Sequence, residues 1–247
     1  MTCPASAFRT FYRWLLFFGL LVYAAYVIIE NGLITQLFRD DQSFLSVIIL
    51  ALLLLASLDA GRRAYRLGQE LCATSALRER TRSTDRLFVA DGSQGVCFAD
   101  NEPDRSYAHD HLLLLANMTF HNGDLRPQDL LLERLENTLD RGHESGWFLA
   151  DLMVRLGLLG TVIGFIFMLS SVASIASVDL HALQQLLGQM TGGMRIALYT
   201  TLTGLGAGIL LGFQYRLLDQ GVDLLMSEII ALSEVDVVHH LRHLTRG

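Results

Sequence analysis

Residues 156–178 read LGLLGTVIGFIFMLSSVASIASV, and residues 196–215 read IALYTTLTGLGAGILLGFQY. Neither run carries a charge. A helix needs about 20 apolar residues to cross a bilayer, and about 17 suffice. Both runs therefore read as membrane spans. Working outward, Trp14–Ile29 and Phe44–Leu58 are two more apolar runs, each short on its own. They reach spanning length with flanking residues, the first extending back to Phe11 when Arg13 snorkels to the interface. The stretch from Glu30-Asn31-Gly32 to Asp40-Asp41 is turn-like, so these two runs read as a hairpin. The first run is long, lacks a small-x-small cleavage site and is soon followed by a second span. It reads as a retained helix rather than a signal peptide.

Composition agrees with this. The 247 residues are 51% hydrophobic and only 18% charged, against about 25% charged in a soluble domain. A disordered tail, a collagen-like fibre and a disulfide-stapled mini-protein are excluded. The net charge is -6, and all 19 basic residues are Arg. Without a domain-wide basic surface, nucleic-acid binding is excluded too. Cys3, Cys72 and Cys97 are odd in number and scattered, suggesting neither a disulfide framework nor a zinc site.

The expected fold class is all-α: a polytopic membrane protein with four transmembrane helices and a helical cytoplasmic domain. An N-terminal transmembrane hairpin occupies 1–60, with spans at about 11–29 and 42–58. A cytoplasmic helical domain follows at 61–150. The core transmembrane pair occupies 151–215, with spans at about 152–178 and 194–215. A cytoplasmic C-terminal helix completes the chain at 216–247. Arg9 and Arg13 precede the first span, Arg62, Arg63 and Arg66 follow the second, and Arg216, Arg242 and Arg246 follow the fourth. The positive-inside rule then places both termini and the middle segment in the cytoplasm, with Arg195 mildly against it.

In the middle segment, Gly61–Leu87 reads as a charged helix continuing from span two. Pro127–Arg141 reads as a helix with leucines at 131, 132, 135 and 139, ending near Gly142. Val89–Tyr107, rich in Asp, Gly and Ser, reads as a loop. Ser177–Gly193 reads as a short amphipathic helix on the outer membrane face, capped by Asp179. Leu218, Val222, Leu225, Ile229 and Leu232 repeat at spacings of four and three. This heptad seam implies that span four continues into the cytoplasm, packing against copies of itself or the middle domain.

The strongest local signal is glycine spacing. Gly160 and Gly164 lie four apart in span three, and Gly204, Gly208 and Gly212 do so in span four. Ala197 and Thr201 share the latter face. Lipid offers helices little hydrophobic gain from touching, so small residues that let backbones approach supply much of the association energy. Spans three and four therefore read as protein-packed, and the Leu- and Phe-rich spans one and two as lipid-facing. Hydroxyls are the second signal: Thr161 in span three, and Thr200, Thr201 and Thr203 in span four. An intramembrane Thr usually bonds its own helix carbonyl. Thr201, on the small-residue face, is the candidate to face another helix or a pore. Neither span has an Asp, Glu, Lys or His in its core. Ion transport across a membrane normally needs an intramembrane ionisable group, so either this chain is not a transporter or a partner supplies the carboxylate.

Leu156–Gly164 resembles the LGLLGTVxG signature of the MotA/TolQ/ExbB proton-channel family. Gly193–Leu205 resembles that family's second signature, with Ala197, Leu198, Thr201, Gly204 and Leu205 at the matching positions. Both fall in order on the last two spans, and the four-span layout is similar to the MotA arrangement rather than the three-span TolQ/ExbB one. The resemblance implies a pore-forming stator subunit of an ion-driven motor in the bacterial inner membrane. It implies a homopentamer surrounding two copies of a single-span MotB/TolR/ExbD-like partner, which carries the titrating Asp. Protons, or sodium ions, would pass with Thr161 and Thr201 as the pathway hydroxyls, and their flux would drive rotation. Glycines 160, 164, 204, 208 and 212 would serve helix packing. One departure stands out: Ile196 occupies a position where ExbB- and TolQ-type members commonly carry Glu.

Two other readings compete. The spans could simply anchor a cytoplasmic scaffold or sensor domain. Alternatively His109-Asp110, His111 and His121 could mark a membrane-anchored metal hydrolase, but no distal His and Asp pair accompanies them. His239, His240 and His243 near the C-terminus suggest a weak metal site or a pH-sensitive tail. The favoured reading has no enzyme activity, cofactor or bound metal. Lipid surrounds the spans.

Overall fold

The computed structural model describes residues 7–31, 44–83, 87–91, 95–98, 106–122, 128–173 and 180–237. Unbroken runs of helix formers give helices α1 (Arg9–Glu30), α2 (Leu45–Ser83), α3 (Tyr107–Asn122), α4 (Gln128–Ala173) and α5 (Leu180–Ala231). A π-helical turn, Leu232–Asp236, closes the described chain. Among the described residues, four helical segments are long and apolar enough to cross a membrane: Arg9–Glu30 and stretches within Leu45–Ser83, Glu144–Ser170 and Leu187–Asp236. The all-α, four-span expectation therefore holds.

Between α2 and α3 the structure corrects the sequence reading. Val89–Tyr107 is not all loop: β1 (Phe88–Asp91) and β2 (Gly95–Phe98) pair antiparallel, with Phe88 opposite Phe98 and Val89 opposite Cys97. The side-chain amide of Asn117 on α3 holds this hairpin. It accepts from the Val96 amide at 2.8 Å and donates back to the Val96 carbonyl at 3.4 Å. Two strands alone are marginal in water, and this docking compensates.

Two expected helix boundaries are absent. Helix α4 runs through Gly142 into span three without ending there. Helix α5 begins at Leu180 and continues as one piece through span four and the heptad seam. The segment expected to lie separately on the membrane is therefore the first turns of the last helix. A mid-helix glycine costs only about 1 kcal/mol, which a 46- or 52-residue helix absorbs through its packed faces. Asp179, the expected cap, lies outside the described residues, as do His239, His240 and His243.

The chain divides into two compact units. Met1–Trp14, Arg62–His143 and Leu217–Gly247 form the first, and Leu15–Gly61 with Glu144–Arg216 the second. The first unit has a leucine-rich core. Leu131, Leu135 and Leu139 of α4 join Leu112 and Leu115 of α3 and Leu67 and Leu71 of α2 there. The whole seam Leu218, Val222, Leu225, Ile229 and Leu232 is buried, and Val222 through Leu232 share that core. The seam thus packs on the middle segment of its own chain. Arg78 clamps its end, bonding Glu228 and Asp236 at 2.8 Å each, while Arg82 reaches Asp236 at 3.2 Å. Cys72 is disulfide-bonded, contrary to the sequence expectation, and Cys97 is free and exposed.

Along α1 the one buried residue is Trp14, whereas 44% of the apolar stretch of α2 is buried. Span one fits the lipid-facing expectation, but span two does not. Its Ile49, Leu53 and Ala56 are inside, and Ser57 donates from its Oγ to the Gln214 Oε1 of α5 at 2.8 Å.

Candidate functional site

The site is the antiparallel seam between the membrane segments of α4 and α5. Its closest point is a pair of facing glycines. A Cβ on Gly204 would come within 2.7 Å of both the Gly157 Cα and the Met153 carbonyl oxygen. These are backbone atoms that have no room to move. Gly164 and Gly193 repeat the pattern: a Cβ on Gly164 would lie 2.7 Å from the Gly193 oxygen and from the Ala197 nitrogen. Between these pairs, a Cβ on Gly160 would collide with the side chain of Thr200. Towards the other end, Gly208 faces Ala150 and Val154, and the Tyr215 ring occupies the space a Gly146 side chain would need. Gly212 is looser, with 3.6 Å from its Cβ position to the Trp147 ring. From Gly164/Gly193 to Gly146/Tyr215 the seam runs about 30 Å at 1.5 Å per residue, the thickness of a bilayer core.

The hydroxyls divide by what they bond. Thr200 is fully buried and donates to its own helix at Ile196, 3.0 Å, and Ala197, 3.1 Å. Thr203 does the same at Tyr199, 2.8 Å. Thr161, half-buried, donates to the Leu158 carbonyl at 2.5 Å. Among these four, Thr201 bonds out of its own helix. Its Oγ1 donates to the Gly157 carbonyl of α4 at 3.2 Å. Of the two settings expected of Thr201, another helix or a pore, this bond concerns the first: it ties the side chain to α4. Thr161 and Thr201 spend their protons on different carbonyls, so each presents its oxygen as an acceptor. An acceptor-only hydroxyl suits a cation or a protonated acid, and does not suit an anion.

Two glycines beyond those expected to pack also contribute. Gly157 and Gly193 also belong to the seam, a Cβ on each lying 3.1 Å and 2.8 Å from backbone atoms of the facing helix; both sit inside the family motifs, and fourfold spacing alone passes over them. The buried Ser57–Gln214 bond was also missed, although a Ser and a Gln flanked by apolar residues are visible in the chain. Ile196, at the position of the family Glu, is buried and contributes only packing. Asp151 and Arg155 form an exposed i,i+4 ion pair at 2.6 Å before the seam's glycine-rich stretch.

Among the described residues, the histidines of the hydrolase reading do not gather a metal site. His109 stacks on Phe98 at 4.3 Å, and His111 is buried in the first unit, where loss of water pushes its imidazole below the usual range. Among the described residues no group of three or more His, Cys, Asp or Glu is placed to hold a metal ion. The side chain of His121 lies outside the described set.

Compared with known families, residues 128–230 match the model of the MotA/TolQ/ExbB proton channel family. No curated protein and no solved structure matches the chain.

Proposed function

We propose, starting from a chain whose residues 128–230 form a MotA/TolQ/ExbB proton channel family domain, that this multi-pass membrane protein is the pore-forming subunit of an ion-driven motor. It conducts protons, or sodium ions, as a channel and not as an enzyme. It works as a homopentamer around two copies of a single-span, MotB/TolR/ExbD-like partner in the bacterial inner membrane, with both termini and the 61–150 segment cytoplasmic. The partner's Asp supplies the ionisable group that spans three and four lack. A carboxyl in a low-dielectric pore resists ionisation, so it can take a proton from one side and release it to the other. Each exchange shifts the charge facing the ring, and that shift drives rotation.

The observation carrying this reading is the pair of donor-committed hydroxyls. Thr201 is fixed by the Gly157 carbonyl and Thr161 by the Leu158 carbonyl. Their oxygens can accept from a hydronium ion, a protonated carboxyl or a partly dehydrated sodium ion. The glycine seam holds Thr201 in place without side chains that would obstruct it. A charge-assisted hydrogen bond to such a group contributes about 1.5–3 kcal/mol.

The test is ion flux in proteoliposomes holding the protein with its partner. Thr201→Val should lower flux at least about tenfold at equal assembly, and Thr201→Ser should restore most of it. Normal flux in both Thr201→Val and Thr161→Val would remove the hydroxyls from the pathway and favour a scaffold.

A further inference from the structure

Gln214 and Tyr215, the last two residues of the uncharged run 196–215, are both fully buried. Consecutive residues of a helix point about 100° apart, so the two side chains reach different neighbours. Gln214 accepts from the Ser57 hydroxyl of α2 at 2.8 Å. The Tyr215 ring fills the space beside Gly146 of α4. At one level, α5 is thus tied to two helices by two unlike contacts.

The glycine seam needs such contacts because its repeat is ambiguous. Sliding α5 by one turn, about 6 Å, would set Gly208 opposite Gly157 and Gly204 opposite Gly160, glycine again meeting glycine. Lipid offers no hydrophobic gain that would tell these two registers apart, since close backbone approach is available in both. The slip would nevertheless take Thr201 off the Gly157 carbonyl that it bonds at 3.2 Å. Gln214 and Tyr215 are what a slip cannot repeat. The Gln214 amide would leave Ser57 for the level of the buried Leu53, one turn back on α2, where its polar atoms cost free energy unless bonded. The Tyr215 ring would move from Gly146 onto the Cβ of Ala150. A buried polar side chain that bonds well in one register alone is the best-attested way for packed helices to fix register. We infer that Gln214 and Tyr215 are positioning residues, which lock α5 in the register that keeps Thr201 on Gly157. The lock stands on packing within the second unit, and its bearing on ion flow rests on the channel reading proposed above.

The test is disulfide cross-linking of the full-length protein in membranes, with the linked peptides identified by mass spectrometry so that links to the native cysteines are counted apart. In the register seen here a Cβ on Gly208 lies 4.0 Å from the Val154 Cβ, within disulfide reach. Val154→Cys with Gly208→Cys therefore reports this register, and Val154→Cys with Gly212→Cys reports the slipped one. Gln214→Leu with Tyr215→Ala should raise the second link about tenfold at the expense of the first, and Gln214→Leu alone should raise it less. Gln214→Ser should slip as well, and adding Ser57→Gln should bring the first link back, because the polar pair is then reversed rather than lost. A first link that persists unchanged in Gln214→Leu with Tyr215→Ala would overturn the lock. So would loss of both links, which is general loosening, or no recovery on reversing the pair. Flux is read on the same membranes: a slip that leaves flux intact keeps the lock and removes Thr201 from the ion pathway.

Discussion

Helices α4 and α5 supply two seams, made in opposite ways. In the first unit Leu131, Leu135 and Leu139 share a core with Val222, Leu225, Ile229 and Leu232. In the second, Gly157, Gly160 and Gly164 meet Gly193, Thr200 and Gly204. The first seam consists of side chains and the second of their absence. In water, burying a Leu or Ile contributes about 1.5–3 kcal/mol, so large residues hold a seam together. In lipid the surroundings are as apolar as the partner helix, and only dispersion and backbone approach remain. The same pair of helices therefore changes its residue alphabet where its solvent changes.

The sharpest way to break this comparison is to put an aqueous residue into the membrane seam. Gly204→Leu places four carbon atoms where a single Cβ already lies 2.7 Å from two backbone atoms. Overpacking of that kind costs about 3 kcal/mol or more. The expected outcome is loss of disulfide cross-linking between cysteines introduced on facing positions of α4 and α5, together with loss of the assembled complex. A graded version compares single methyls. Gly204→Ala meets backbone, whereas Gly208→Ala first meets the Val154 Cγ2 at 2.6 Å, a side chain that can turn away. Gly204→Ala should be the more damaging by at least about 1 kcal/mol. Equal effects would mean that the seam is less tightly set by backbone than its spacing suggests.

The reverse experiment removes a large residue from the aqueous seam. Leu225 is fully buried, and Leu225→Ala should cost about 2–5 kcal/mol. Thermal melts and protease protection of α3 should register the loss. A cost below about 1 kcal/mol would show that the aqueous seam is held chiefly by its ion pairs, Arg78 with Glu228 and Asp236.

How much of this was legible in the chain follows the same division. The leucine seam was readable because a buried heptad must repeat every three or four residues. The glycine seam was readable in outline for the same reason, but fourfold spacing missed Gly157 and Gly193. Gly157 pairs with Gly204 and Gly193 with Gly164 across the interface, which is a property of two helices and not of one. Helix ends were hard to read. Gly142 and the Gly192-Gly193 pair signal breaks, yet both lie inside helices, because packing outweighs a penalty of about 1 kcal/mol per glycine. The β1–β2 hairpin had a signal in Asp91-Gly92, a dipeptide favoured between paired strands, but its support comes from Asn117, some twenty residues away. The burial of span two was illegible, since its Leu-rich composition suits lipid and protein equally. Ser57 and its Gln214 partner were the local clue.

The smallest expected effect concerns protons, and again distinguishes the two units. His111 sits in the aqueous core, where burial pushes its imidazole below the usual range, whereas the membrane seam has no His to titrate. In the unfolded chain this His takes up a proton near its ordinary value of about 6.5, while in the folded core burial delays that uptake to lower pH. Below that value the unfolded state binds more protons, so stability falls as the pH drops. Glu70 works in the opposite sense. Burial raises its carboxyl, with Asp110 adding to the rise against the Tyr107 hydrogen bond, so its charged form opposes folding and acid relieves that strain. Only a variant that isolates the His can separate the two. Between pH 6.5 and 5.5 the wild type should lose up to about 1 kcal/mol relative to His111→Phe, by thermal melts at each pH. Cross-linking across the glycine seam should not change over the same range. Equal acid sensitivity in the wild type and His111→Phe would place the titrating group elsewhere in the first unit, and seam cross-linking that falls with pH would break the contrast between the two interfaces.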